Sequence, residues 1–432
     1  MIDRYARSPM SDLWTDEAKY GRWLAVELAV VDALAELNQI PVDSAQGIHE
    51  RAHVDVDAAQ RIESEIGHDV LSFVRSLEAQ VGPDGRYIHR GLTSYDVVDT
   101  GLSIALRDGL NVLIDQLDRV LGVLKRQALE HKGTVMIGRT HGVHAEPMTF
   151  GLKLLHWYDE LTRDHERLLR ARSIAAVGKI SGSVGTYAHV DPDVERRVCE
   201  QLDLEPAPIS SQLLARDRHA DVLNTLAITG GTLERIATEI RNLSRTEIDE
   251  VREGRPHGSS SMPHKQNPSN CETIVGLARI VRANASAGLE NMAVWHEQDL
   301  SRSSVERVII PDSFQALHTM LAKTTSVLEG LQVEANRMRT NVELARGAVF
   351  SQGVLLALVD AGMSRTEAHE RLSAAARESE RTEQPLLDVL RQDDGVLGRI
   401  GSDRLSELVD VAYHTKHVDD VFARFFADSS TD

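Results

Sequence analysis

The chain has 432 residues, 42% hydrophobic and 26% charged, with 48 basic against 66 acidic side chains and a formal net charge of −18. That composition excludes a disordered chain, and the acidic balance argues against a nucleic-acid partner, whose phosphates need a basic surface. No run approaches the ~20 apolar residues of a membrane helix, the start MIDRYARSPMSDLW has no leader pattern, and Cys199 and Cys271 cannot frame a set of disulfides, so a cytoplasmic protein with no membrane partner is expected.

Over the whole chain Leu, Ala, Glu and Arg dominate and aromatics are only 4%, which is helix-forming composition; in chain order, residues 1–93 read as an N-terminal helical part. Val81–Tyr95 (VGPDGRYIHRGLTSY) is a break. From Leu102 an apolar stripe runs through Leu106, Leu110, Leu113, Leu117 and Val120 to Leu124 in steps of three and four, which predicts a long helix packed along much of its length. Met136–Met148 (MIGRTHGVHAEPM) has loop composition. A looser stripe follows at Leu152–Leu169, then a Gly- and Ser-rich loop at Val177–Thr186. A second strong stripe joins Val222, Leu226, Thr229, Leu233, Ile236, Ile240 and Leu243. Gly254–Asn270 (GRPHGSSSMPHKQNPSN) is a third loop of mixed chemistry, and stripes return at Ile274–Met292 and Val305–Leu331. Beyond about Asn341 shorter helices run to Phe426. The expected fold is all-α: an N-terminal helical domain (1–93), a central long-helix bundle (94–341) and a C-terminal helical domain (342–432). A slender bundle has more apolar surface than one chain covers, so closed-symmetry association of several copies is expected.

No CxxC or HExxH spacing appears, so no metal site is indicated. The most informative stretch is Gly258-Ser259-Ser260-Ser261-Met262-Pro263-His264-Lys265-Gln266-Asn267-Pro268. Ser259 and Ser260 offer hydroxyls and adjacent backbone N–H groups, Lys265 a point charge for a carboxylate, and Asn267 an amide. On composition alone, a polar surface loop is the better explanation of such a stretch.

The spacing Ser-Ser-x-Met-Pro-x-Lys-x-Asn resembles the signature of the fumarase/aspartase superfamily. Gly91-Leu92-Thr93-Ser94-Tyr95-Asp96 and Gly138-Arg139-Thr140-His141-Gly142-Val143-His144-Ala145-Glu146-Pro147 resemble its two other signature regions, in the expected order. Within it, Arg4-Tyr5, Gly67-His68-Asp69-Val70, His89 and Ser301-Arg302-Ser303-Ser304-Val305-Glu306-Arg307 are most similar to the adenylosuccinate lyase family. The resemblance runs from Arg4 to about Pro311 and implies a three-domain helical subunit. It also implies a homotetramer with active sites shared between chains and no organic or metal cofactor. The implied reaction is β-elimination of fumarate from adenylosuccinate and from succinylaminoimidazole carboxamide ribotide, both small-molecule substrates.

The resemblance further implies Ser259 as general base, His141 as general acid, and Gly254–Pro263 as a lid. His68 either orients His141, contacts the phosphate, or merely satisfies a helix end. Thr93, Ser94, Gln212, Lys265 and Asn267 resemble ligands of the succinyl carboxylates, with Ser210-Ser211-Gln212 opening the following helix. Asp69, His89 and Ser260 resemble further substrate contacts. Arg4, Tyr5, Ser303 and Arg307 resemble the phosphate contacts. Two departures remove positive charge from that end: Gly67 and Gln298 stand where a basic residue is common. Arg302, where His is common, is expected to restore one charge. Alternatives within the superfamily are an argininosuccinate lyase or a 3-carboxymuconate-cycloisomerase-like enzyme, and outside enzymes a catalytically silent homologue.

Overall fold

The computed structural model describes residues 1–254, 257–258, 262 and 264–428. Four helices open the chain: α1 (Asp16–Glu36), α2 (Val42–Arg51), α3 (Val56–Ile66) and α4 (Asp69–Val81). Local chemistry starts them. Thr15 Oγ1 accepts from the Ala18 amide at 3.1 Å to cap α1, Asp55 caps α3 in the same way at 2.8 Å, and Asp16 and Glu17 lie in the first turn of α1 beside its positive dipole end.

The long helix α5 (Ser94–Glu130) follows, then β1 (Val135–Thr140), β2 (Val143–Thr149), α6 (Phe150–Ala175), β3 (Val177–Gly178), α7 (Pro192–Gln201), β4 (Glu205–Pro206) and α8 (Asp217–Leu243). Next come β5 (Val251–Arg252), β6 (His257–Gly258), β7 (Gln266–Asn267), α9 (Ser269–Glu290), α10 (Ser303–Glu329) and β8 (Gln332–Val333). Then α11 (Ala335–Glu343), α12 (Ser351–Asp360) and α13 (Arg365–Thr382) lead into shorter helices that reach Asp428. The five long helices α5, α6, α8, α9 and α10 stand where the apolar stripes predict them. Leu110, Leu113, Leu117, Val120 and Leu124 are fully buried, as are Leu226, Thr229 and Leu233. The described strands form four two-stranded sheets: β1 with β2, β3 with β4, β5 with β8, and β6 with β7. The predominantly helical class is as expected. Among the described residues, no single helix is long and apolar enough to cross a membrane.

The chain divides into two compact units, Met1–Val120 with Glu160–Ala237 and Asn270–Thr325, and Leu121–Asp159 with Thr238–Ser269 and Ser326–Asp432. The first holds a large apolar core in which Tyr20 stacks on Phe73 with ring centroids 5.5 Å apart and meets Trp23 edge-on at 5.3 Å. The second buries Val354, Leu358, Leu372, Leu386, Leu390, Val396 and Leu405 together, with a smaller cluster of Ile137, Val342, Val349 and Phe350.

Two local expectations are corrected. Met136–Met148 is not a loop but most of the antiparallel β1–β2 hairpin, with Thr140 paired to Val143. Its two turn residues, His141 at φ 55° and Gly142 at φ 78°, both lie in the left-handed region that a type I′ hairpin turn demands. Gly, His and Pro gave a loop signal, and β1 buries Met136 and Ile137 side by side, so no period-two pattern marked the strand. The helix expected directly after Gln212 starts only at Asp217. The Ser211 amide bonds the Leu213 carbonyl and the Leu214 amide bonds Asp99, so this backbone is satisfied without helical turns.

Candidate active site

In the first unit, α3 ends and α4 begins at Gly67-His68-Asp69. Gly67 sits at φ 70° and its amide closes α3 on the Glu63 carbonyl. A left-handed helix stop favours glycine, which gives a backbone reason for the missing basic side chain. His68 caps α4: its Nδ1 accepts from the Leu71 amide at 3.3 Å. An accepting Nδ1 places the proton on Nε2, and the ring is half exposed. His68 thus satisfies a helix end while still presenting an N–H. Asp69 pairs with Arg307 of α10. Burial would raise the Asp69 carboxyl, but the Arg307 hydrogen bond and charge outweigh it and hold it below its ordinary range.

His89, at φ 58°, is clamped by Glu27, whose carboxylate is buried and accepts from the His89 amide at 2.8 Å and faces its Nδ1 at 2.7 Å. Burial would lower this imidazole; the hydrogen bond and charge of Glu27 win and raise it above 6.5. Because the folded value exceeds the unfolded one, the charged pair stabilises fully below pH 6.5 and is lost as pH rises through the raised value. A His89→Gln variant is therefore expected to melt lower than the parent at pH 6, with the gap narrowing by pH 9. A gap independent of pH would show that no charged pair forms.

Thr93 and Ser94 sit at the start of α5. The Thr93 amide is capped by Asp96 at 2.8 Å, three residues on. Asp96 is itself buried against Lys179, whose side chain is wholly inaccessible, and its other oxygen accepts from the Ser181 amide at 3.1 Å and the Gly182 amide at 3.3 Å. Thr100 Oγ1 bonds the Lys179 carbonyl at 3.0 Å. Gln212 is tied to this loop, donating to the Ser183 carbonyl at 3.2 Å, and Ser181 Oγ meets Ser210 Oγ at 2.7 Å. The Asp96–Lys179 ion pair thus ties Thr93, at the start of α5, to the loop whose Ser183 carbonyl accepts from Gln212.

At the start of α10, Ser303 and Arg307 line a cavity of about 340 Å³ with Trp14, Trp23 and Tyr95. Tyr5 is fixed to the same helix, its carbonyl accepting from Thr319 Oγ1 at 2.6 Å, and the N-terminal amine pairs with Asp312; Arg4 is exposed. Arg302 does not supply a free charge as expected. It is 2% exposed, donating to Glu306 at 2.9 Å and to Gln298 at 2.7 Å, with its guanidinium 4.8 Å above the Tyr95 ring. Glu306 also accepts from Arg216, which forks onto Asp99 at 2.7 and 2.8 Å. Two carboxylates and two guanidiniums balance inside the fold.

In the second unit, His141 stands exposed at the tip of the β1–β2 turn. The hairpin's Arg139 forks onto the fully buried Glu250 at 2.7 and 2.9 Å, and Asn341 donates to Glu250 at 2.8 Å. Lys265 and Asn267 line a cleft of about 670 Å³ with Arg241, Arg245, Arg252 and His264. Register pairs Asn267 with His257 across β6–β7. Ser259, Ser260 and most of the expected Gly254–Pro263 lid lie outside the described residues; Gly254 itself is buried, its amide bonding the Val327 carbonyl at 3.2 Å.

Sequence reasoning passed over Glu27, Lys179, Arg216 and Glu250. Only Glu27 left a trace, as a lone carboxylate inside the apolar run LAVELAVV.

A family model described as "Lyase" matches residues 4–283, and one described as "Adenylosuccinate lyase C-terminus" matches residues 347–425. The adenylosuccinate lyase of Thermotoga maritima is 47% identical over 98% of this chain and 99% of its own length, and that of Bacillus subtilis 43% identical over 98% and 99%. Among solved structures, a fumarate lyase from Mesorhizobium sp. BNC1 superposes with a TM-score of 0.89 at 30% identity, covering 98% of this chain and 99% of that one. The 3-carboxy-cis,cis-muconate lactonizing enzyme of Pseudomonas putida gives 0.88 at 28%, covering 97% and 96%.

Proposed function

The chain belongs to the adenylosuccinate lyase family of the fumarase/aspartase superfamily, and on that premise we propose that it eliminates fumarate from adenylosuccinate, leaving AMP. The same reaction on succinylaminoimidazole carboxamide ribotide yields the aminoimidazole carboxamide ribotide of purine biosynthesis. The full-length likeness to curated lyases of that name carries the reading.

A base removes the proton from the carbon beside one carboxylate, the C–N bond breaks with its electron pair going to nitrogen, and an acid protonates the leaving amine. In this reading Ser259 is the base and His141 the acid, and His68 orients the acid through its outward Nε2–H. Negative charge builds on the carboxylate next to the carbanion-like centre, so donors must be in place beforehand. Lys265, Asn267, Thr93, Ser94 and Gln212 take that part, with Ser260 beside the base. Arg4, Tyr5, Asp69, His89, Ser303 and Arg307 serve the nucleotide end. The polypeptide acts as a cytoplasmic homotetramer whose sites draw residues from several chains. Exposed apolar side chains along the long helices, such as Leu129, Leu169, Ile228, Ile280 and Val308, support association. The division into 1–93, 94–341 and 342–432 is part of the same reading.

Comparing adenylosuccinate with its dephosphorylated nucleoside tests the nucleotide end. The expected result is a kcat/KM at least about 100-fold lower for the nucleoside, since two or more charge-assisted bonds are lost. Equal turnover of both, or preference for argininosuccinate, would overturn the substrate assignment.

A further inference from the structure

The hairpin that carries His141 is packed at its root and bent before its tip. At the root Met136 and Ile137 are buried, and Ile137 packs with Val342, Val349 and Phe350. Ile137 pairs with Pro147 but Arg139 with His144, so Gly138 stands alone against Ala145 and Glu146. Such a bulge bends the ribbon and re-aims what lies beyond it. The bend needs glycine, because a Cβ on Gly138 would sit 2.9 Å from the Glu146 carbonyl oxygen. Beyond it Thr140, His141, Gly142 and Val143 are exposed, and among the described residues no side chain from Thr140 to His144 makes a hydrogen bond. Packing thus fixes the root and leaves the direction of the tip to something else. Arg139 is the side chain tied down past the bulge. It forks onto both oxygens of Glu250 at 2.7 and 2.9 Å, and Glu250 is fully buried. Two parallel bonds from a planar guanidinium fix an angle as well as a distance. Glu250 is itself firmly seated. Asn341 of α11 donates to its carboxylate at 2.8 Å and to the Ile248 carbonyl at 2.9 Å, and the Glu334 amide donates to the Glu250 carbonyl at 3.0 Å.

We propose that Glu250 is a positioning residue: through Arg139 it sets the direction of the hairpin tip beyond the bulge, and so the place of His141. This rests on the reading that His141 protonates the leaving amine. Proton transfer needs the acid within hydrogen-bond reach, and a misplacement of about 1 Å can cost 10²-fold in rate. Stability alone is a poor reason for a buried ion pair, since an apolar pair of similar volume often does as well. What this pair adds is a fixed angle, two residues from the acid.

The test measures kcat, KM and unfolding midpoints on the full-length enzyme, with adenylosuccinate as the probe. Arg139→Met and Glu250→Gln are each expected to lower kcat about 10- to 100-fold with KM within about threefold. Arg139→Met strands a buried carboxylate and should also melt lower. The double variant Arg139→Met/Glu250→Gln strands none, so its midpoint should return toward the parent's while kcat stays low. Arg139→Lys, which keeps one bond to the carboxylate, should recover part of kcat. In a His141→Asn background Arg139→Met should cause no further fall, because it acts only through His141. A double variant whose kcat recovers along with its midpoint would make the pair merely structural, and additive losses with His141→Asn would show a route that bypasses the acid; either overturns the inference. A His141→Asn enzyme with full turnover would instead fail the acid reading beneath it.

Discussion

Replacing His141 with asparagine is expected to lower kcat by about 10²- to 10⁴-fold without lowering the unfolding midpoint appreciably. The position is exposed, at φ 55° in a two-residue turn, and makes no side-chain hydrogen bond among the described residues. Asparagine is at ease at positive φ, so the hairpin keeps its register, while its amide cannot give up a proton near neutral pH. If sites are shared between chains, mixing His141→Asn subunits with Ser259→Ala subunits should restore activity, since some sites would draw both intact residues from different parents. Near-full turnover by the single variant would remove His141 from the chemistry. An inactive mixture of well-assembled hybrids would remove the shared-site arrangement.

The largest expected effect on stability is at Lys179. Lys179→Met leaves the Asp96 carboxylate buried beside three amide donors but without its cation, and losing one partner of a buried pair costs about 3–5 kcal/mol. Denaturant unfolding of Lys179→Met against the parent measures it. Asp96→Asn in the same chain removes the stranded charge and should recover part of the loss. A Lys179→Met midpoint equal to the parent's would mean that the pair does not hold this loop in solution.

What could be read beforehand follows from range. The stripes ending at Leu124 and Leu243 report a helical period within a few turns, so the long helices were legible. The β1–β2 hairpin was not, because Gly138, Gly142 and Pro147 gave a local turn signal, while β1 buries the neighbours Met136 and Ile137 together and shifts register before Arg139, so no period-two pattern marks it. Buried charges were the least visible. Lys179 and Asp96 are 83 positions apart, and Arg216 and Asp99 are 117 apart, so nothing local marks either as a pair. Arg302 shows the same limit from the other side. Its position suggested a free charge at the phosphate end, whereas Glu306, one turn along, had already claimed it.

The most direct measurement is product analysis after mixing the pure protein with adenylosuccinate. The expected result is AMP and fumarate in equal amounts, growing together as the substrate disappears, with turnover lost in His141→Asn. Unchanged substrate, in the hands of a folded and assembled protein that acts on a different succinylated compound, would contradict the assignment while leaving the fold untouched.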